Sequence, residues 1–205
     1  MSNFKFIRHY FGISGCFKGT TIKAELEDKN NNGDSKVIML SDIKLWKMYE
    51  KEFNLEQSDL NYAVEYLCKL KNFIYDFPFS NNIRTILVER GVSDMLFYWT
   101  MKHGEDEEYI KKFVKEEEIL EEQYSYYNSE KILLVQKDRD FIRDVVLKEK
   151  TRADCFPGGV EDYLKQQEDY IDFTRKYNKI NKTIVIKDAE KYIKNDLGLE
   201  FNPGV

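Results

Sequence analysis

The segment from Phe11 to Leu26, FGISGCFKGTTIKAEL, places glycines, a lysine and two adjacent hydroxyls within a short span. These residue types suit phosphate binding. Glycines let successive backbone N–H groups point at an anion, a lysine reaches the terminal phosphates, and a Ser or Thr hydroxyl holds Mg²⁺. The usual loop reads G-x-x-x-x-G-K-[ST], whereas here Lys18 comes before Gly19. The segment therefore predicts either a nucleotide-phosphate site with an altered loop or an ordinary strand-to-helix turn with a surface lysine.

Two alignments of this segment with the loop pattern are open. In the first, Gly12 is the leading glycine and Lys18 is the motif lysine. Phe17 then replaces the second glycine, and Gly19 replaces the Ser/Thr. In the second, Thr20 is the magnesium ligand, and the lysine stands one residue early. The predicted nucleotide-binding set is Gly12, Gly15, Lys18, Gly19, Thr20 and Thr21, with Thr20 also a predicted metal ligand.

Charged residues follow two apolar runs that are typical of buried strands. Asp42 comes shortly after VIML, and Glu89 and Arg90 end the run TILV. In parallel sheets, ligands bind at the carboxyl ends of strands. A carboxylate there can accept the proton of an acceptor hydroxyl, and the planar fork of arginine matches phosphate oxygens. The structural alternatives are a helix N-cap for Asp42 and a Glu89–Arg90 ion pair.

A charged segment between residues 138 and 159 precedes a helix that is expected to begin at Val160. It carries Arg152 within KEKTRADCFPGG, and Arg139 and Arg143 are alternative cations. Arginine side chains can neutralise the charge of phosphate oxygens. Each arginine taken alone is also consistent with a solvated surface charge.

Five short apolar runs, separated by helical patterns, must position these residues. This alternation predicts the α/β class, with a parallel sheet covered by helices on both faces. At 205 residues and 42% hydrophobic content, the chain is long enough for one such domain over residues 1–205. The predicted strands are residues 4–11, 37–40, 85–88, 131–136 and 183–186, and the predicted helices are residues 20–28, a tract within 45–70, 92–101, 105–127, 160–178 and 189–197.

Charge and cysteine content narrow the classes of function. A net charge of −5 disfavours a general duplex-binding protein, which needs clustered Lys and Arg. The cysteines, Cys16, Cys68 and Cys155, are far apart and only two histidines are present, so no structural zinc site is expected. Scattered thiols indicate a cytoplasmic compartment. The lack of any apolar run of about 18 residues predicts neither a signal peptide nor a membrane span.

Four segments resemble, in form and order, the thymidylate-kinase and deoxynucleoside-kinase group of P-loop kinases, phage-type relatives included. They are the glycine loop, IMLSDIKLW, ILVERGVSDMLFYW and KEKTRADCFPGGVEDYLKQQEDYIDF. The resemblance implies a three-layer fold, a five-stranded parallel sheet of order 2-3-1-4-5 and a lid at about residues 138–159. It also implies ATP and Mg²⁺ as cofactors and a small nucleotide or nucleoside as partner, and it allows a homodimer.

The resemblance assigns a role to each matching position. The family places an acidic residue and a tryptophan after its second strand, an acidic–arginine pair after its third, and two arginines in its lid, where Lys150 here replaces the first. The implied roles are Asp42 as base or orienting group, Trp46 as an acceptor-pocket residue and Glu89 as a residue near magnesium. Arg90 is implied to bind the acceptor phosphate or the phosphoryl group in transfer, and Arg152 to be a cation on the phosphoryl group in transfer. Trp46 and Phe97 are also candidates to stack a base, the alternative being core packing.

The sequence thus predicts phosphoryl transfer from ATP·Mg²⁺ to a (deoxy)nucleoside monophosphate or (deoxy)nucleoside. One alternative is a kinase that acts on a hydroxyl of nucleic acid, at a 5′ end or on a modified base. Asp42 suits that alternative, but the acidic net charge argues against it. The other alternative is a scaffold whose altered loop no longer binds triphosphate and which serves protein interaction.

Overall fold

The computed structural model describes residues 5–31, 37–41, 85–89, 96–98, 100–101, 104, 106–123 and 127–201. Five strands form one sheet in the order β2-β3-β1-β4-β5. Strand β2 pairs in parallel with β3, and β4 pairs in parallel with β5. The predicted α/β class with a parallel sheet is confirmed. The strands are β1 Lys5–Phe11, β2 Val37–Ser41, β3 Thr85–Glu89, β4 Tyr127–Gln136 and β5 Lys182–Ile186.

Helices and helical turns follow strands β1, β3, β4 and β5. Three of them are long, α1 with 14 residues, α2 with 17 and α5 with 18. A 3₁₀ turn, Val146–Lys148, separates two short helices, and the last helix continues as a π turn, Tyr192–Asp196. The helices whose bounds lie in the described ranges are α1 Lys18–Asn31, α2 Glu107–Gln123, α3 Arg139–Asp144, α4 Lys150–Ala153, α5 Val160–Tyr177 and α6 Ala189–Lys191.

The chain divides into two compact units. Unit one comprises Met1–His9 and Asp34–Glu130, and unit two comprises Tyr10–Gly33 and Lys131–Val205. In unit one, the first four residues of β3 are buried, as expected for a strand covered on both faces. Helix α2 buries Ile110 and Phe113, one turn apart, and exposes most of its charged residues, which is the amphipathic pattern.

In unit two, residues 131–136 of β4 and one face of α5 supply the core. Leu133 and Leu134 of β4 and Tyr163 and Tyr170 of α5 have no exposed surface. Strand β5 is at the edge of the sheet, and its Val185 is 48% exposed. Within the ranges that the structure describes, no helix has both the length and the apolar character needed to cross a membrane.

Two predicted boundaries were wrong in an informative way. Tyr127, expected in the helix before β4, is the first residue of that strand, which starts four residues before Lys131. Asn128 and Ser129 are exposed, so backbone pairing rather than burial makes them part of the strand. Helix α1 begins at Lys18 instead of Thr20 and includes Gly19. The predicted tract within residues 45–70 lies outside the described residues, as does part of the predicted helix at 92–101.

Candidate functional site

A six-residue turn, residues 12–17, joins β1 to α1. Three of its residues have positive φ angles: Gly12 at 143°, Gly15 at 85° and Phe17 at 63°. A Cβ atom at Gly12 would lie 2.7 Å from the backbone oxygen of Leu134, and one at Gly15 would lie 2.7 Å from Val146 Cγ1. Both positions therefore need glycine for space as well as for conformation.

Phe17 has the left-handed backbone conformation that glycine ordinarily supplies. For a residue with a Cβ atom, this conformation costs about 1–2 kcal/mol. The ring offsets the cost because its centroid lies 4.6 Å from that of Phe141 and 6.0 Å from that of Tyr192. It packs against a buried cluster that contains Ile186 and Ile193. Side-chain packing thus holds the turn in a conformation that the residue type alone disfavours.

Lys18 is the first residue of α1 and is only 4% exposed. Its ammonium donates a hydrogen bond of 2.7 Å to the carbonyl of Ile13 and lies 3.5 Å from Cys16 Sγ. A buried ammonium is costly unless it is bonded in this way. The lysine therefore lies within the curl of the turn, which excludes the alternative of a surface lysine.

The two hydroxyls that follow have different surroundings. Thr21 is buried, and its hydroxyl donates to the Phe17 carbonyl at 2.8 Å and shares a hydrogen bond of 3.0 Å with the Tyr192 hydroxyl. Burial raises the pKa of the Tyr192 phenol, and its bond with Thr21 opposes that shift. Thr20 instead borders a cavity of about 320 Å³ that Phe17 and Phe141 also line. The Thr20 hydroxyl is thus better placed than that of Thr21 to receive a ligand.

The first turn of α1 contains no acidic residue, so the positive end of the helix dipole is not neutralised there. No group of three or more His, Cys, Asp or Glu side chains capable of holding a metal ion occurs in the described ranges. Mg²⁺ commonly binds through one or two protein oxygens together with substrate phosphates. The loop, with its glycines, its buried lysine and a helix start without acidic residues, fits a magnesium–nucleotide complex of that kind.

Two side chains of α5 support the base of this region, and sequence reasoning assigned neither this role. The hydroxyl of Tyr170 accepts a hydrogen bond of 3.1 Å from Gly12 N. The side chain of Gln167 makes two hydrogen bonds to the backbone of Gln136, at 2.7 and 2.9 Å. The available sequence signal was a glutamine on the apolar face of a helix, three residues before a buried tyrosine.

The segment predicted as a lid consists of α3, the 3₁₀ turn, α4 and the turn before α5. Asp138 caps α3 by accepting from Phe141 N at 3.0 Å, and its other oxygen accepts from Ala189 N at 2.8 Å. The Asp138 carboxylate therefore fixes the start of both α3 and α6.

Arg152, in α4, is half-buried, with its Nε 3.1 Å from Glu149 Oε2.

The other two lid arginines are exposed and are also paired. Arg143 bonds to Asp140 and Asp144, and this bonding lowers the pKa of the Asp144 carboxyl. Arg139 forms an ion pair with Glu161. Exposed ion pairs contribute little free energy, so an incoming phosphate can replace these carboxylates at small cost.

The remaining predicted residues fall into two groups. Glu89 ends β3 and is half-buried, whereas Phe97 is buried, and its ring contacts that of Tyr98 edge-on at 5.3 Å. Asp42, Trp46 and Arg90 lie outside the described residues. The structure thus brings together the predicted loop residues, and it places Arg152 in the same unit.

No protein-family model matches the chain, and no curated protein matches its sequence. Solved structures do match. A thymidylate kinase from Ehrlichia chaffeensis is similar with a TM-score of 0.53 at 14% identity, over 95% of this chain and 94% of that chain. A protein described as a candidate kinase from Chloroflexus aurantiacus is similar with a TM-score of 0.50 at 8% identity, over 89% of this chain and 85% of that one. Identities this low establish the fold alone: the chain has the fold of P-loop nucleotide kinases.

Proposed function

We propose that the chain transfers the γ-phosphoryl group of ATP to a small acceptor, a (deoxy)nucleoside monophosphate or a (deoxy)nucleoside. The observation that carries the proposal is the position of Lys18. Its ammonium lies within a glycine turn at the start of a long helix, bonded to the carbonyl of Ile13. A turn with three positive φ angles and a buried cation at a helix N-terminus is a setting that favours polyphosphate.

In the proposed site, the loop from Gly12 to Lys18 holds the β- and γ-phosphates through backbone N–H groups and the ammonium. Phosphoryl transfer needs little covalent chemistry from the protein, so positioning and charge stabilisation account for most of the rate. Lys18 supplies charge at a buried position, where electrostatic interactions are stronger than in water. Lys18 as the phosphate lysine corresponds to the first of the two alignments, with Phe17 in the place of the second glycine. The magnesium ligand proposed next, Thr20, corresponds to the second alignment, in which the lysine stands one residue early.

Magnesium, when bound with the nucleotide, neutralises phosphate charge. We assign Thr20 to it, because the Thr21 hydroxyl is already bonded to Phe17 and Tyr192. Glu89, at the carboxyl end of β3, is the proposed acidic group on the metal side. Thr21 therefore serves the site indirectly, by fixing the first turn of α1.

The acceptor side rests on the family resemblance. Asp42 is the proposed base or orienting group, and Arg90 and Arg152 are the proposed cations on the phosphoryl group in transfer. Trp46 and Phe97 are proposed to line the acceptor's base pocket. One similar solved structure is a thymidylate kinase, which favours a monophosphate over a free nucleoside as acceptor.

The test is release of ADP from ATP·Mg²⁺ against a panel of deoxynucleosides, their monophosphates and a 5′-hydroxyl oligonucleotide. Lys18→Ala should lower turnover on the productive acceptor by about 10²–10³-fold, the usual effect of losing one group that stabilises transition-state charge. Lys29→Ala is the matched control, since Lys29 lies in the last turn of the same helix, at the end away from the loop. It should leave turnover unchanged.

Full turnover in the Lys18→Ala protein would contradict the loop assignment. Turnover on the oligonucleotide alone would instead identify the nucleic-acid kinase. One contact favours a further candidate, a loop that has lost triphosphate binding: the Lys18 ammonium is hydrogen-bonded to the Ile13 carbonyl within the protein itself. No ATP binding by a folded wild-type chain would establish that candidate and refute the kinase.

A further inference from the structure

Helix α5 buries several polar side chains in the core of unit two, and two of them, Gln167 and Tyr170, bond to backbone atoms at or next to the end of a strand. Gln167 is 1% exposed and Tyr170 has no exposed surface. They are three residues apart, so they lie on the same face of the helix, one turn from each other. Buried polar groups persist when they are hydrogen-bonded, and the partners of these two side chains are backbone atoms at functionally placed positions.

Gln167 binds the end of β4 through its side-chain amide. Its Oε1 accepts from Gln136 N at 2.7 Å, and its Nε2 donates to Gln136 O at 2.9 Å, so one amide satisfies both backbone groups of a single residue. Gln136 is the last residue of β4, and its own side chain accepts from Asp138 N at 2.9 Å. Asp138 in turn caps α3, the first helix of the lid segment. The contact therefore fixes the point from which that segment departs.

Tyr170 performs the same task at the end of β1. Its hydroxyl accepts from Gly12 N at 3.1 Å, and Gly12 is the first residue of the turn that leads to Lys18. Gly12 leaves no space for a side chain, because a Cβ atom would lie 2.7 Å from Leu134 O. The tyrosine hydroxyl thus anchors the loop at a residue whose backbone is closely packed against β4.

We propose that Gln167 and Tyr170 are positioning residues that hold the phosphate loop and the lid in register through one face of α5. This inference rests on the proposed function, since it assigns the two side chains to that same site. Neither side chain contacts substrate in the proposal. Helix α5 begins at Val160, directly after the lid. The same helix therefore follows the end of the lid in sequence and contacts the start of the lid, through Gln167, and the start of the loop, through Tyr170.

The test compares Tyr170→Phe with wild type and with Tyr177→Phe. Tyr177 is the last residue of the same helix, half-buried with its ring 4.8 Å from Phe173, and its hydroxyl serves as the matched control. Phenylalanine keeps the shape of Tyr170 but leaves the buried N–H of Gly12 unpaired. Three quantities are measured well below the unfolding temperature: Kd for ATP, the separate values of kcat and KM, and hydrogen exchange of the Gly12 amide by NMR.

Tyr170→Phe should raise both Kd and KM for ATP by about three- to tenfold, as expected for one lost buried hydrogen bond, and should leave kcat within about twofold. Exchange of the Gly12 amide should accelerate by at least about tenfold. Tyr177→Phe should change none of these. A second variant, Gln167→Met, keeps the side-chain length and should raise KM for ATP in the same direction.

Wild-type values for KM and for Gly12 exchange in Tyr170→Phe would overturn the proposal. A lowered unfolding temperature with an unchanged KM would show that both side chains stabilise the fold without positioning the site, and it would overturn the proposal as well. Failure of the proposed function is distinguishable, because wild type would then not bind ATP at all. Faster Gly12 exchange in such a chain would show a contact without a phosphate site and would overturn the positioning role.

Discussion

Phe17 offers a direct test of how the loop is held, through two substitutions at the same position. In most settings, alanine is more stabilising than glycine by about 0.5–1 kcal/mol, because glycine loses more backbone entropy on folding. At a φ angle of 63°, that order should reverse. Phe17→Gly relieves the left-handed strain, whereas Phe17→Ala retains it.

The magnitudes follow from the contacts of the ring. Losing a half-buried phenylalanine removes about half of the ~3 kcal/mol that full burial contributes, and losing the ring pair with Phe141 removes about 1 kcal/mol more. Both variants lose these terms, which sum to about 2.5 kcal/mol. The glycine variant is then stabilised by about 1–2 kcal/mol because the left-handed strain is removed, and it is destabilised by about 0.5–1 kcal/mol because glycine loses more backbone entropy on folding. We expect Phe17→Gly to cost about 2 kcal/mol and Phe17→Ala about 2.5 kcal/mol, an order opposite to the usual one.

The assay is urea unfolding followed by far-ultraviolet circular dichroism, with free energies extrapolated linearly. Phe141 provides the matched control because it makes the same ring contact from within α3. There, Phe141→Ala should be more stable than Phe141→Gly by about 1 kcal/mol, since the backbone is helical. The informative quantity is the Ala–Gly difference at each position, which cancels the shared loss of the ring. An alanine at position 17 that is more stable than glycine by as much as at position 141 would refute the reasoning.

Three further outcomes are expected. Gly12→Ala should destabilise the chain by about 3 kcal/mol in urea unfolding, because the new Cβ would clash with Leu134 O and the backbone strain at a positive φ angle would add to that cost. A loss below about 0.5 kcal/mol would contradict the close contact. The raised pKa of Tyr192 means that the unfolded chain loses its phenolic proton first, so stability should fall above pH ~10, by at most about 1.4 kcal/mol per pH unit. Tyr192→Phe should be less stable at neutral pH by about 1 kcal/mol but should lose less stability in that alkaline range, which a pH series of unfolding curves would check. Asp138→Ala should cost about 2 kcal/mol because two helix starts lose one acceptor each, and Asp138→Asn should cost less; equal thermal shifts for both would argue against the caps.

The sequence was most informative where local pattern and burial agree. The runs TILV and ILLV predicted β3 and the second half of β4, because continuous apolar stretches of that length favour buried parallel strands. Helix α5 was predicted to within one residue, since its apolar spacing and the preceding glycines mark its start. The polar beginning of β4 was missed because Asn128 and Ser129 join the strand through backbone pairing and carry no burial signal.

The geometry of the candidate site depended on long-range contacts. The lysine in the loop was an evident candidate, but its burial follows from the curl of the turn, which a linear motif does not encode. The support of Gly12 by Tyr170 joins residues separated by 158 positions. No local propensity favours a left-handed phenylalanine. The conformation of Phe17 is decided by Phe141 and Tyr192, which lie far along the chain.

In this loop, side-chain packing therefore compensates for backbone strain that a glycine would not have. A glycine permits a left-handed turn at little steric cost but leaves the loop flexible. Phe17 reaches the same turn against a steric cost and stabilises it by packing on α3 and on the segment around Tyr192. Because α3 begins the predicted lid segment, a ring contact that a glycine could not make joins the turn to that segment. The turn requires a left-handed backbone angle at position 17, and in this chain aromatic packing supplies it.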